Sequence, residues 1–546
     1  MKKRILAMFL LVLMVCAALS ACKPATPTDT GAPTDAPAQT ADPSVTDAPA
    51  QTEQPAGDEP VYGGTLRVTI NSDATSLDAM MVSTESDQIP ATHIFETALS
   101  VDAAGNVFPG VCDYTFENNA LTLTVREGVT FHDGNPVTVD DIYASALRWT
   151  ENVSAAKSQI VAHMTSMEVK DGALVLTFFE PAPVALNTIA GYDQGLYVIP
   201  KAICEKYGAE KIADADCIGT GPYKFVEHLP DRYILVERYD GYVPTTNEAT
   251  GMAAPKLAYV DQIYFYPVSD KTARITGVQT NEYDIGIGIP SNMIAELSAD
   301  PNLVVTTRDL GIFAGMIFNT QSGPCADKNL RNAILACLNM DELMLAAQGS
   351  ADLYYLNPCV MSTSSKWYVE DTSGKYNNVD LEAAQAYLDA SSYNGETIVF
   401  ITTKDNDYFY KTAIVVAQMV QQIGITMDVQ VYDNATLKEY RDDATKYDIF
   451  SSGLSSKVDP TQVVFLDSSW AGFWSNERKD ELCAQLASET DYEKRYAIWQ
   501  ELYALVYEEV PNISFGERIN PIVYRSNVHN IFDTLQKFYW NTWIEG

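Results

Sequence analysis

Polar and apolar residues alternate through Thr65-Leu66-Arg67-Val68-Thr69-Ile70, leaving Leu66, Val68 and Ile70 on one side. A period of two predicts a strand with one face on a core. Residues 121–126 repeat the pattern. The period changes after Thr138, where Val139, Ile142, Tyr143, Ala146 and Leu147 recur at helical spacing. Thr138 reads as the cap, with Asp140 and Asp141 in the first turn. Further on, residues 397–402 read as a strand, and Ala413, Val416, Ala417 and Val420 as one face of a helix. Gly424 supplies a left-handed helix end, and Ile425, Met427, Val429 and Val431 then alternate with polar residues. Strand, helix and strand in this order predict a parallel pair with a right-handed crossover. The class is α/β.

The N-terminus follows neither period. Lys2, Lys3 and Arg4 precede fifteen apolar residues, 5–19, short of the ~20 a membrane-spanning helix needs. The run ends in Leu19-Ser20-Ala21-Cys22, and the whole reads as a secretory signal. Its ending resembles the bacterial lipobox, which implies cleavage before Cys22 and lipid on the Cys22 sulfur. Residues 23–60 contain no aromatic residue, and Thr34-Asp35-Ala36-Pro37-Ala38-Gln39-Thr40 recurs twelve positions later as Thr46 to Thr52. Such a stretch has too little apolar surface to offset the entropy of ordering, so 22–60 is expected to be a lipidated cysteine and a disordered linker.

Composition narrows the function. The 546 residues include 36 basic and 72 acidic side chains, a net charge of −36, while 47% are apolar and about a tenth aromatic. That length exceeds what one core of ~250–300 residues absorbs, so more than one lobe is expected. An acid excess of this size repels phosphates, which argues against a nucleic-acid partner. The five histidines never fall within one helical turn of each other, and no cysteine pair has metal spacing. No metal or other cofactor is expected. Phosphate-binding loops and nucleophile elbows are missing. Ser154-Ala155-Ala156-Lys157 matches Ser-x-x-Lys but lacks the companion motifs of the serine enzymes that use it. Seven cysteines lie beyond Cys22, none in a Cys-x-x-Cys pattern; a Cys204–Cys217 bridge and buried reduced thiols both stay open. A secreted body without catalytic residues in any known pattern points to binding.

Several segments, read in order, resemble the family 5 extracellular solute-binding proteins, the oligopeptide-, dipeptide- and nickel-binding components of ABC importers. Gly63-Gly64-Thr65-Leu66 with Ser76-Leu77-Asp78 is similar to the family's opening. Val125-Arg126-Glu127-Gly128-Val129-Thr130-Phe131-His132-Asp133-Gly134-Asn135-Pro136-Val137-Thr138 resembles its most recognisable stretch. Gly219-Thr220-Gly221-Pro222-Tyr223, Glu282-Tyr283-Asp284-Ile285, Phe318-Asn319-Thr320 and Leu330-Arg331-Asn332-Ala333-Ile334 follow in the family's order. By composition, His132 to Pro136 is a turn, and His132 is expected to be structural rather than a ligand. The glycines of 219–222 are expected to let backbone pass closely.

The resemblance implies an α/β, two-lobed periplasmic-binding-protein-like clamshell (type II) with an extra domain. Domain I would comprise 61–100, 217–312 and 515–546, domain II 101–216 and domain III 313–514. It implies a monomeric substrate-binding lipoprotein that performs no catalysis, held by its lipid to the outer face of the bacterial cytoplasmic membrane. The protein would capture oligopeptides or peptide-like solutes between lobes I and III and deliver them to an ABC permease. Peptide-binding members place an Asp in a Gly-Trp-x-x-Asp-x-x-Asp-Pro loop to pair with the peptide ammonium. Here Gly453-Leu454-Ser455-Ser456-Lys457-Val458-Asp459-Pro460 puts Ser456 in that place. Glu85, in the loop 81–88, is an alternative acceptor. The implied ligand-binding set is Thr84, Glu85, Tyr192, Leu454, Ser455, Ser456, Asp459 and Trp470. A non-peptide solute such as a glycan fragment or metal chelate, or an adhesin or enzyme on the same fold, is the competing reading.

Overall fold

The computed structural model describes residues 59–531 and 538–545, with backbone alone at 308–310. The expected signal, Cys22 and nearly all of the expected linker lie outside the described residues. Residues 60–546 form one compact unit.

The alternating segment at the start is a strand, β1 (Thr65–Ile70), with Leu66, Val68 and Ile70 fully buried. A helix, α1 (Glu85–Ile94), follows. Next come β2 (Cys112–Glu117) and β3 (Ala120–Val125), helix α2 (Val139–Asn152), then β4 (Met164–Lys170) and β5 (Ala173–Phe178). These four strands make a separate antiparallel sheet in the order β2-β3-β5-β4. Thr138 opens α2 as expected, donating from its N–H and hydroxyl to the Asp141 carboxylate at 2.9 and 2.6 Å. Its buried stripe differs from the expected one. Leu147 is 40% exposed, and Trp149 is fully buried instead. Polar residues with partners take part of the inner face: Arg148 pairs with Asp78 at 2.6 Å, and the Ser145 hydroxyl donates to the Ile199 carbonyl. A count of apolar positions cannot foresee that rotation.

The large sheet has eleven strands. Besides β1 it holds β6 (Tyr223–Leu229), β7 (Tyr233–Arg238), β8 (Gln262–Pro267), β9 (Ile285–Ile287), β10 (Leu303–Phe318), β11 (Ile398–Thr403), β12 (Met427–Tyr432), β13 (Ile449–Ser455), β14 (Asn512–Arg525) and the short Tyr354–Tyr355. Their spatial order is β12-β11-β13-β10-β14-β9-β1-β8-β7-β6, with Tyr354–Tyr355 beside β14. Between β11 and β12 runs α3 (Asp407–Val420), which buries Ala413, Val416 and Val420. A 3-10 turn, Gln421–Ile423, continues it, Gly424 ends that turn at φ 82°, and β11 and β12 pair in parallel with Ile398 opposite Met427. The predicted strand–helix–strand unit is present, one residue later at its start.

Two long antiparallel strands, β10 and β14, join the halves of this sheet. Leu303 to Asp309 pair with Arg525 to Ile519; the register slips, and Ile312 onward pairs with Arg518 and earlier residues. Gly311 sits in the slip at φ 58°. The apolar clusters divide at the same place. Leu303 and Val523 pack with Ile275, Val278, Ile289 and Leu297, whereas Ala314, Met316 and Phe515 pack with Leu330 and Phe400. A bulge between two packed bodies is a place where a sheet bends with little loss of contact. The molecule is a two-lobed clamshell with the four-stranded sheet as an extra domain, whose Leu121, Leu123, Leu174 and Leu176 share the first lobe's core.

Two motifs far apart in the chain meet at one junction. The His132 N–H donates to the Gly219 carbonyl at 3.0 Å, and the Gly219 N–H donates to His132 Nδ1 at 3.3 Å. His132 Nε2 then donates to the Gly221 carbonyl at 3.0 Å, which makes this histidine structural. A Cβ on Gly219 would lie 2.0 Å from the Ile94 carbonyl oxygen, and one on Gly221 2.4 Å from that of His93. Backbone does pass closely there. The seven described cysteines are all free, and Cys204 and Cys217 are buried separately, so the bridge between them is not formed.

Candidate ligand-binding cleft

On the first lobe, the parallel strands β1, β8 and β9 end at one edge of the sheet. Asn71 follows β1 directly. Glu85, expected in a loop, is instead the first residue of α1, with Thr84 as its exposed N-cap in extended conformation. The Thr84 hydroxyl donates to Asp87 at 2.6 Å. Pro90 inside the second turn hides this helix from a reading of pattern. Glu85 accepts from Asn71 Nδ2 at 3.2 Å, and Asn71 Oδ1 accepts from Arg274 Nη1 at 2.9 Å. Arg274 is 1% exposed and has no carboxylate within ion-pair distance among the described residues, and its Nε has no hydrogen-bond partner. Burial lowers the pKa of its guanidinium.

On the second lobe, β13 carries Leu454 opposite Phe313 and the exposed Ser455 opposite Ile312. The Ser456 N–H donates to the Gly311 carbonyl at 2.6 Å, and its hydroxyl accepts from the Ser362 N–H at 3.0 Å. Ser456 is therefore held between the hinge strand and a neighbouring loop. Asp459 is buried; one oxygen accepts from the Thr461 N–H and hydroxyl, and both face Arg495. Trp470 is half-buried against Phe450, with Arg441 over its ring. Beside the bulge, the Arg518 guanidinium lies 3.7 Å from the centre of the Tyr408 ring, and its Nε donates to Gln348 at 3.2 Å. Among the described residues it too has no carboxylate within ion-pair distance.

Among the described residues, the lobes touch near Gly105 and near Gly349. A Cβ on Gly105 would be 3.4 Å from the Val458 carbonyl oxygen, and the Val458 side chain packs against the first lobe's core. Lys366 Nζ lies 3.5 Å from Asn106 Oδ1 beside that contact. Toward the hinge, a Cβ on Gly349 would lie 2.7 Å from the Ser291 hydroxyl. Tyr192 is half-buried, with its ring edge-on to Phe538, and its carbonyl accepts from the Tyr197 hydroxyl. Its neighbour Asp193 accepts from Gln88 Nε2 at 2.9 Å and feels the charge of Lys457 on the facing loop.

Of the expected residues, the Tyr192 loop and α1 are thus brought together with the Ser456 loop. Asp459 is turned into the second lobe's interior, and Trp470 stays half-buried against its core. Gln88, Asp193, Arg274, Tyr408 and Arg518 carry no signal in the sequence, because neither periodicity nor motif separates them from surface residues. No group of three or more His, Cys, Asp or Glu among the described residues is arranged to hold a metal ion.

Two packed lobes joined by a bulged strand pair are the architecture of a binding protein of the periplasmic type. The chain belongs to the bacterial extracellular solute-binding proteins, family 5, whose middle-region model matches residues 114–476. It is 25% identical over 483 residues to the probable peptide ABC transporter periplasmic-binding protein y4tO of Sinorhizobium fredii, covering 83% of this chain and 88% of that protein. Similar solved structures include the ABC transporter substrate-binding protein CtaP of Listeria monocytogenes, with a TM-score of 0.77 and 20% identity over 88% of this chain and 99% of that one. The oligopeptide-binding protein AppA of Bacillus subtilis, in complex with a nonapeptide, gives 0.71 and 18% identity over 89% and 100%.

Proposed function

We propose that this protein is the capture component of an ABC importer, taking oligopeptides or peptide-like solutes between its lobes and presenting the closed form to a membrane permease. The observation that carries the reading is the contact of Val458, in the 456–459 loop of the second lobe, with Gly105 and the first lobe's core, beside Asn187 and the loop that carries Tyr192 and Asp193. A solute held there touches both lobes, and only such differential contact shifts the balance between open and closed forms. The peptide relatives support the ligand class. The domain division is 61–100, 217–312 and 515–546 for domain I, 101–216 for domain II and 313–514 for domain III. Lipid on Cys22 would keep a monomer at the outer face of the membrane, and no catalysis is assigned.

Ser456 favours a second reading. It stands where peptide binders carry Asp, and its hydroxyl is engaged with Ser362. A glycan fragment or metal chelate needs no such carboxylate. Native mass spectrometry of the full-length protein, purified without refolding, separates the two. A spread of bound masses that fragment as peptides supports peptide capture. A single non-peptide mass, or a cleft that ignores peptide mixtures, overturns it.

A further inference from the structure

We infer that Asp193 supplies, from the first lobe, the carboxylate for a ligand's terminal ammonium that Ser456 on the second lobe cannot provide. The inference rests on the peptide-capture reading and names the group that would make it work. Position 456 belongs to the loop whose next residues reach across the cleft, and Val458 lies on Gly105. The Gly105 carbonyl in turn accepts from Asn187, at 3.2 Å, six residues before Asp193. Asp193 follows on the same wall as these contacts and lies within reach of the Lys457 charge on the facing loop.

Elimination among the neighbouring carboxylates leads to the same residue. Asp459 is closed off by Arg495 and Thr461. Asp87 accepts from the Thr75 N–H and the Thr84 hydroxyl at the start of α1. Glu85 accepts from Asn71, and the buried cation of Arg274 stands behind that amide. Asp193 differs from all three. It is exposed to water, its Oδ1 accepts from Gln88, and its Oδ2 accepts no hydrogen bond among the described residues. The residue is open to water on one side, while the neighbouring walls strip part of the water from the carboxyl and raise it above the usual range, against the pull of Lys457 and of the Gln88 hydrogen bond. A carboxylate in that condition gains from a second cation. Lys457 favours an acceptor beside the ammonium, which a peptide carbonyl offers.

The test compares one peptide digest with its N-acetylated form on the full-length protein by calorimetry. Wild type should prefer free amines by roughly tenfold or more, the scale of a charge pair in a partly desolvated site. Asp193→Asn and Asp193→Ser should lose that preference while binding acetylated peptides within about twofold of wild type. Adding Ser456→Asp to Asp193→Asn should restore part of it. A preference kept in both Asp193 variants, or lost in Glu85→Gln alone, overturns the inference. Wild type that binds both forms equally overturns it while leaving peptide capture standing. Wild type that binds neither overturns both.

Discussion

Asp459 and Arg495 form a buried ion pair. Arg495 Nη1 lies 2.8 Å from Asp459 Oδ2, the side chains being 7% and 3% exposed, and Nη2 lies 3.0 Å from Oδ1. The pair fastens the loop that follows β13 to the long helix Tyr492–Glu509. A carboxylate placed by resemblance among ligand contacts is thus part of the frame that holds them.

Replacing Asp459 by Ala leaves Arg495 buried without a counter-charge. Breaking such a pair costs roughly 3–5 kcal/mol. Urea denaturation should show a loss of that order in Asp459→Ala and a smaller one in Asp459→Asn. Unchanged stability together with lost solute binding would return Asp459 to the cleft.

Gly311 ties hinge to loop. It sits at φ 58° in the register slip, and a Cβ there would lie 3.0 Å from Ser456 Cβ. Gly311→Ala should cost about 1–2 kcal/mol from the left-handed backbone alone. Because the added methyl presses on Ser456, it should also reduce the contraction in radius of gyration that a bound solute produces in X-ray scattering. A full contraction in this variant would place the bending point elsewhere.

Acid should destabilise the fold before carboxylates dominate. Burial lowers His93 and His132 to about 4. Between that value and the unfolded value near ~6.5, the unfolded chain takes up protons that the folded chain refuses. Stability therefore falls as pH drops through this window, by up to roughly 1.4 kcal/mol per unit for each histidine. His228 acts in the opposite sense. Burial works to lower it, but hydrogen bonds with Asp214 and Asp73 raise it overall, so its contribution is present in acid and fades as pH rises past its raised value. Denaturation at pH 7.5, 6.0 and 5.0 should show the net fall, and a flat profile would mean that water reaches both buried imidazoles.

Much of the local structure was legible in the sequence. Alternation placed β1, helical spacing and a Thr cap placed α2, and Gly424 marked the end before β12. These features depend on neighbours a few positions away, and residue type dominates at that range. The inner face of α2 was not legible, since partners from 60 residues away decide whether Arg148 or Leu147 goes inside. Neither was the helix beginning at Glu85, because Pro90 in its second turn breaks the pattern by which a helix is read.

By itself the sequence determined the α/β class, the two-lobed family architecture, the structural turn at His132 and the absence of Asp at 456. All of these are carried by residue identity in short, ordered stretches. Only the tertiary structure decided that His132 is bonded to Gly219 and Gly221, that Asp459 belongs to Arg495, and that Asp193 faces the Ser456 loop. These relations join residues 36 to 264 positions apart, the first two each within one lobe and the third between lobes. No periodicity spans such a separation. Packing alone chooses which charges face each other.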